Sequence, residues 1–141
     1  MTQTGAGGKK AAGPKPERPK QIQTVLVVDD EEQIGNMGKM FLELNGYSVL
    51  TANSGAAALA LWAEQSSEVD LVITDLVMPS IDGATLTRAM RKKRPDVPVI
   101  LATGADERDF TEELKGLKFA GHLHKPYTRD QVLTAVRKAL A

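Results

Sequence analysis

Residues 70–83, DLVITDLVMPSIDG, decide the fold of this chain. The apolar run 71–73 predicts a strand that is buried on both faces, and Asp75 lies at its end. Pro79 prevents simple continuation of the strand, because it lacks an amide hydrogen and restricts the residue before it. Asp82–Gly83 then supplies a turn and a helix start. Since ligands gather at the carboxyl edge of an open parallel sheet, Asp75 is the first candidate for a functional residue.

Strand and helix patterns alternate five times outward from this stretch. Apolar runs predict five strands, at residues 24–28, 47–52, 71–73, 98–102 and 119–124. Helical spacing and end signals predict five helices, from the acids 29–32 to Gly46, from Ser54–Gly55, over 82–93, over 106–115, and after Thr128. Because the connections are short, the pattern predicts an α/β fold, a doubly wound parallel sheet with helices on both faces.

Two of the predicted helices differ in how firmly they should pack. Four apolar residues of the first helix are spaced to face the core: Ile34, Met37, Phe41 and Leu44. The helix predicted over 106–115 is polar, and only Phe110 and Leu114 can anchor it. We therefore expect it to be the least stable element of the fold.

Composition bounds the class of protein. The 141 residues are 42% hydrophobic, with zero formal net charge and no cysteine, which suits one globular domain in a reducing cytoplasm. No apolar run is long enough to span a bilayer, so no membrane association is expected. Residues 1–21 are rich in Gly, Pro and Lys and predict a flexible basic tail or linker before a domain at 22–141. The tail could touch nucleic acid or anionic lipid, but no aromatic residue interleaves its lysines, which favours a solvated tether.

Polar residues stand at four predicted strand ends: Asp29 and Asp30, Asp75, Thr103, and Lys125. In a doubly wound sheet these ends converge on one edge. Three crowded carboxylates repel one another unless a cation neutralises them, and Mg²⁺, or Mn²⁺ in its place, is the natural oxygen-binding ion. Asp75 could then act as an ionised nucleophile, with Thr103 as a hydrogen-bond donor and Lys125 as the charge that neutralises a phosphoryl group.

Each of these residues also has a simpler interpretation. Asp29 and Asp30 taken alone predict a helix cap, Asp75 alone a turn, and Lys125 alone a surface charge or a structural ion pair. Their common position at strand ends favours the functional interpretation.

Four segments, LVVDDEE (26–32), TDLVMPSIDG (74–83), ATG (102–104) and HLHKPY (122–127), resemble the motifs of response-regulator receiver domains of two-component signalling. The resemblance covers about residues 23–141, in the family's order and spacing. It implies a flavodoxin-like five-stranded sheet in the order 2-1-3-4-5. It also implies that Asp75 accepts a phosphoryl group from a histidine kinase or a histidine phosphotransfer domain.

The resemblance further assigns roles around Asp75. Asp30 matches the acid that binds Mg²⁺ directly, Asp29 the acid that acts through water, and Val77 the residue whose backbone carbonyl is the third protein ligand. Thr103 matches the switch hydroxyl, and Lys125 the lysine that contacts phosphate. The Lys125–Pro126 peptide bond is expected to be cis.

Two positions bear on how such a switch would behave. The family usually carries Tyr or Phe three residues before the lysine, and this chain has His122, so we hypothesise a weaker or pH-sensitive coupling to Thr103, with a tolerated surface residue as the alternative. Val77 and Ala105 are apolar and cannot orient an attacking water, which predicts slow autodephosphorylation.

These observations predict a phosphorylation-dependent switch, not an enzyme acting on other molecules. The chain ends one helix after Lys125, so we expect no output domain and no direct DNA binding. Output would then pass to a partner protein through the face of the fourth helix, fifth strand and fifth helix.

Three alternatives remain. The first is the C-terminal receiver domain of a hybrid histidine kinase, with residues 1–21 as its linker. The second is an aspartyl-phosphate phosphatase, which would need a second acid where Val77 stands. The third is a phosphate-independent scaffold, which would not need to retain the acids and the lysine.

Overall fold

A computed structural model describes residues 21–141, so the tail predicted at 1–21 lies, except for Gln21, outside the described residues. The strands are β1 (Thr24–Val28), β2 (Ser48–Ala52), β3 (Leu71–Thr74), β4 (Val99–Thr103) and β5 (Gly121–His124). The helices are α1 (Glu32–Glu43), α2 (Gly55–Gln65), α3 (Gly83–Lys93), α4 (Thr111–Leu114) and α5 (Arg129–Leu140). Short 3-10 turns at Ser66–Glu68 and Glu107–Phe110 precede β3 and α4.

The five strands form one parallel sheet in the order β2-β1-β3-β4-β5. Helices cover both of its faces. One face packs a core that includes Leu42 of α1 and Val132 and Val136 of α5. The other face packs Trp62 of α2 and Leu86 of α3. The predicted α/β fold, its doubly wound sheet and its strand order are therefore confirmed.

Two details of α1 differ from the prediction. Leu44 lies beyond the last helical residue and is 76% exposed, whereas Leu42 is fully buried in the core. The most deeply buried residues of α1 are Gly35, Gly38 and Leu42, whereas the predicted Ile34, Met37 and Phe41 pack against the same core as partly buried side chains. The glycine at 38 lets the ring of Tyr127 approach the helix closely. A Cβ atom on Gly38 would lie 2.5 Å from the Tyr127 hydroxyl oxygen.

The fourth helix is much shorter than the predicted 106–115. A 3-10 turn, Glu107–Phe110, is followed by one helical turn, Thr111–Leu114, and Gly116 then adopts φ +78°. Phe110 and Leu114 are only partly buried, against a small cluster that contains Leu76, Ala84 and Leu101. Two apolar side chains bury too little surface to hold three turns of a polar segment against the sheet.

Candidate functional site

The polar residues at the strand ends meet at the carboxyl edge of the sheet. Asp29 follows β1, Asp75 follows β3, Thr103 ends β4 and Lys125 follows β5, and all four are buried. Asp30, the next residue after Asp29, is exposed. An open cavity of about 510 Å³ lies over Asp75, Thr103 and Lys125. It is lined by Asp30, Glu31, Ile34, Asp75, Val77, Thr103, Gly104, Ala105, Lys125 and Pro126.

Three carboxylates form the acidic part of this site. Asp29, Asp30 and Asp75 each offer an oxygen atom, and the three oxygens lie within 4.8 Å of one another. Within the described residues, this is the one group of acids, histidines or cysteines with such spacing. An all-oxygen, anionic donor set beside a cavity that is open to solvent suits a hard divalent cation such as Mg²⁺. The donor set therefore fits the ion that the sequence predicts.

Lys125 supplies the positive charge of the site. Its Nζ donates to Asp75 Oδ2 at 2.7 Å and to Asp29 Oδ2 at 3.1 Å, and it pairs with Glu31 Oε1 at 2.7 Å. Burial alone would lower the pKa of Lys125, but the hydrogen bonds with Asp75 and Glu31 and the nearby negative charges raise it above its ordinary value. Lys125 is thus held as a permanent ammonium group.

The carboxylate of Asp29 experiences opposing effects. Burial raises the pKa of Asp29 above its usual value, although the backbone N–H of Glu31, which donates to Oδ1 at 2.8 Å, and the charge of Lys125 both lower it. Burial likewise raises the pKa of Tyr127 to about 12, with the charge of Asp29 adding to the effect. Burial therefore disfavours the ionised form of Asp29, and a cation bound at this site would favour it.

The position of Asp75 is fixed by its backbone neighbours. Asp75 Oδ1 accepts a hydrogen bond from the Leu76 N–H at 2.7 Å, while Oδ2 receives the Lys125 ammonium. The first residue of α3, Gly83, lies against the same backbone: a Cβ atom there would come within 2.1 Å of the Asp75 carbonyl oxygen. Only glycine permits this close approach. Asp82 completes the junction by accepting from the Thr85 N–H as the helix cap.

The two predicted switch residues lie at different distances from the carboxylates: Thr103 lines the same cavity as Asp75, whereas His122 does not. Thr103 Oγ1 accepts from the Ala105 N–H at 3.1 Å. His122 is half exposed, with Nδ1 2.9 Å from Glu107 Oε2 and its ring in a T-shaped contact with the ring of Phe119. Thr103 and His122 line a second cavity of about 530 Å³ next to the acidic one. The His122 side chain thus points outward, toward the turn before α4.

Two residues at the site were not predicted from the sequence. Glu31 contacts Lys125, although the run of four acids at 29–32 indicated only a favourable helix start. Tyr127 packs near Asp29 and fills the space that Gly38 leaves, and no sequence pattern indicated this pairing. The Lys125–Pro126 peptide bond is cis, as the sequence predicts.

No helix among residues 21–141 has the length and apolar character needed to cross a membrane. A family model described as the response regulator receiver domain matches residues 25–137. Sensor kinase CckA of Brucella abortus is 40% identical over 117 residues, which are 83% of this chain and 12% of that kinase. The chain therefore spans a small part of the length of this curated relative.

Solved receiver structures share the fold. A response regulator receiver domain protein from Clostridium thermocellum is 33% identical, with a TM-score of 0.77 over 84% of this chain and 94% of that one. The receiver domain of the hybrid histidine kinase CckA is 29% identical, with a TM-score of 0.71 over 84% of this chain and 99% of that one.

Proposed function

Because the chain belongs to the response regulator receiver domain family of two-component signalling, we propose that Asp75 accepts a phosphoryl group from a phosphohistidine of a kinase or phosphotransfer protein. Receiver domains are signalling switches, and the proposal assigns this chain's residues to that role. The observation that carries it is the contact of 2.7 Å between Asp75 Oδ2 and Lys125 Nζ, beside two further carboxylates at one cavity.

The transfer is a substitution at phosphorus. A carboxylate oxygen of Asp75 supplies an electron pair to form the new O–P bond, and the P–N bond of the donor breaks with its electron pair left on the imidazole nitrogen. Hydrolysis later forms a bond from water oxygen to phosphorus and returns the Asp75 carboxylate with inorganic phosphate. Lys125 is placed to neutralise a phosphoryl oxygen during both steps.

Asp29, Asp30, Asp75 and the backbone carbonyl of Val77 would hold Mg²⁺, or Mn²⁺ in its place. When bound, the ion neutralises charge that develops on the phosphoryl oxygens. Support comes from the three carboxylate oxygens within 4.8 Å and from Val77 at the wall of the same cavity.

The output would follow from Thr103. A phosphoryl group on Asp75 would offer the Thr103 hydroxyl a stronger hydrogen-bond acceptor. A shift of Thr103 would then move the turn at Glu107–Phe110 and α4, which follows it. His122 would respond, because it links β5 to Glu107 in that turn. The surface of α4, β5 and α5 would then present a different face to a downstream protein.

The test is phosphorylation with acetyl phosphate and Mg²⁺, read by intact mass. The wild type should gain one phosphoryl group, and Asp75→Asn should gain none. Asp96→Asn, which removes an exposed acid elsewhere, should behave as the wild type. Absence of the modification in the wild type, or its persistence in Asp75→Asn, would refute the proposal.

A second candidate is the receiver domain of a hybrid histidine kinase, and the identity of 40% to part of sensor kinase CckA favours it. In that case the phosphoryl group on Asp75 would move onward to a histidine. When the phosphorylated chain is incubated with a histidine phosphotransfer domain, the phosphoryl group should move to that domain faster than it is lost by hydrolysis. Hydrolysis to inorganic phosphate, with no transfer to that domain, would favour a free-standing response regulator.

A further inference from the structure

Glu31 is a third anionic partner of Lys125, and neither the proposed phosphotransfer nor the metal site uses it. Its Oε1 lies 2.7 Å from Lys125 Nζ, as close as Asp75 Oδ2 on the same atom. An ammonium group carries three hydrogens, and four oxygens of three carboxylates, those of Asp29, Asp75 and Glu31, lie within 3.3 Å of Lys125 Nζ. A phosphoryl oxygen that binds Lys125 therefore competes with these carboxylates for the hydrogens of the ammonium group.

Of the three carboxylates, that of Glu31 is the one free to leave. The Asp29 and Asp75 side chains are almost fully buried, whereas that of Glu31 is 59% exposed and can be rehydrated at small cost. Its backbone occupies the N-cap of α1, yet its side chain makes no capping hydrogen bond, because the carboxylate reaches across to Lys125 instead. Withdrawal of Glu31 would thus break no contact within the helix.

We propose that Glu31 is a positioning residue: a displaceable counter-ion that occupies the place of a phosphoryl oxygen on Lys125 until the site is loaded. This inference rests on the proposed function. It makes loading of the site a competition between two anions for one ammonium group. The pair between Glu31 and Lys125 lowers the affinity for the phosphoryl group and keeps the lysine ordered in the unphosphorylated protein.

The test is titration of the 141-residue chain with beryllofluoride, a phosphoryl mimic, at saturating Mg²⁺, followed by calorimetry. Glu31→Gln should tighten binding by about fivefold, the scale of a partly exposed ion pair. Glu32→Gln is the matched control, because Glu32 is the adjacent exposed acid and no ion pair joins it to Lys125 in the described structure. The control should bind as the wild type does.

Salt provides a readout that a merely structural effect would not change. The ratio of the beryllofluoride affinities of Glu31→Gln and the wild type should fall toward one as ionic strength rises to about 1 M, because salt screens a partly exposed ion pair. Equal effects of Glu31→Gln and Glu32→Gln, no tightening in Glu31→Gln, or a difference that salt does not change would overturn the inference.

Failure of the inference is distinct from failure of the proposed function. The phosphoacceptor assignment is wrong if the wild type does not bind beryllofluoride, or if Asp75→Asn binds it as tightly as the wild type. The inference about Glu31 then fails as well. If the wild type binds and Asp75→Asn does not, while Glu31→Gln equals the wild type, only the role of Glu31 is refuted.

Discussion

At the scale of the single residue, Val77 bears on the lifetime of a phosphoryl group on Asp75. It is 49% exposed and lines the cavity over the carboxylates. An apolar side chain at this place cannot orient a water molecule for attack on phosphorus.

Val77→Asn should therefore speed acyl-phosphate decay by about tenfold, measured by intact mass over time. Leu44→Asn places the same amide on an exposed apolar residue past the end of α1 and should leave the decay unchanged. An unchanged or slower decay in Val77→Asn would count against this account.

Ser80 is strained, at φ +70°, in the loop between Asp75 and α3. Residues other than glycine adopt this conformation at a cost of about 1 kcal/mol or more. Ser80→Gly removes that strain but loosens the unfolded chain, so we expect a net gain of about 0.5 kcal/mol in the free energy of unfolding. Urea unfolding measures it. Ser67→Gly, at a residue with ordinary φ, should instead destabilise, and a loss in Ser80→Gly would contradict the prediction.

At the scale of the element, the sequence predicts what is locally determined. The apolar run 71–73 predicts a strand that the structure extends by one residue, to Leu71–Thr74. Helix α5 begins where Thr128 predicts, with a capping box to Gln131. The short α4 was not predictable to its bounds, because its length depends on how much apolar surface the sheet offers to Phe110 and Leu114. The exposed Leu44 has the same origin: helical spacing does not reveal which turn is last.

The contact between α1 and the loop before α5 can be tested at Gly38. Alanine favours a helix by about 1 kcal/mol over glycine, but its Cβ would lie 2.5 Å from the Tyr127 hydroxyl oxygen. We expect Gly38→Ala to destabilise by about 1 kcal/mol in the wild type and to be neutral or stabilising in a Tyr127→Phe background. Urea unfolding of the four proteins gives the coupling. Equal effects in both backgrounds would show that the hydroxyl group is not the obstacle.

The segment from the turn at Glu107–Phe110 through α4 should open most readily. It contains one helical turn and few buried side chains, so its amides should exchange hydrogen faster than those of α3 and α5. Hydrogen exchange with mass spectrometry, with and without beryllofluoride and Mg²⁺, measures this. We expect loading to change exchange here and to leave α2 unaffected. Protection equal to that of α5 before loading would contradict the prediction.

At the scale of the whole molecule, the site depends on charges that four strand ends bring together. The sequence predicts this convergence, because parallel strands end at a common edge. It could not predict that Glu31 reaches Lys125 or that His122 turns toward Glu107, since side-chain direction depends on neighbours distant in the chain. The coupling of His122 to Thr103 remains a prediction.

Lys125 is the internal cation on which this charge balance depends. Lys125→Met leaves Asp29 and Asp75 buried without a positive partner, so the free energy of unfolding should fall by about 3 kcal/mol without divalent cations. Mg²⁺ should restore part of the loss, because it supplies positive charge to the same carboxylates. Urea unfolding with and without Mg²⁺ measures both effects. Lys92→Met, a control at an exposed lysine, should change neither the free energy of unfolding nor its response to Mg²⁺. Equal stabilisation of all variants by Mg²⁺ would contradict the prediction.

The tight junction between Gly83 and the Asp75 carbonyl has a mechanical consequence. On that flank the backbone of Asp75 is tightly packed, because the first turn of α3 already touches it. On the opposite flank, the segment after Thr103 contains only a short 3-10 turn and a single helical turn, so little structure resists its movement. The carboxyl edge of the sheet should therefore be stiffer on the α3 side than on the α4 side. A displacement that starts at Asp75 should be transmitted mainly toward α4.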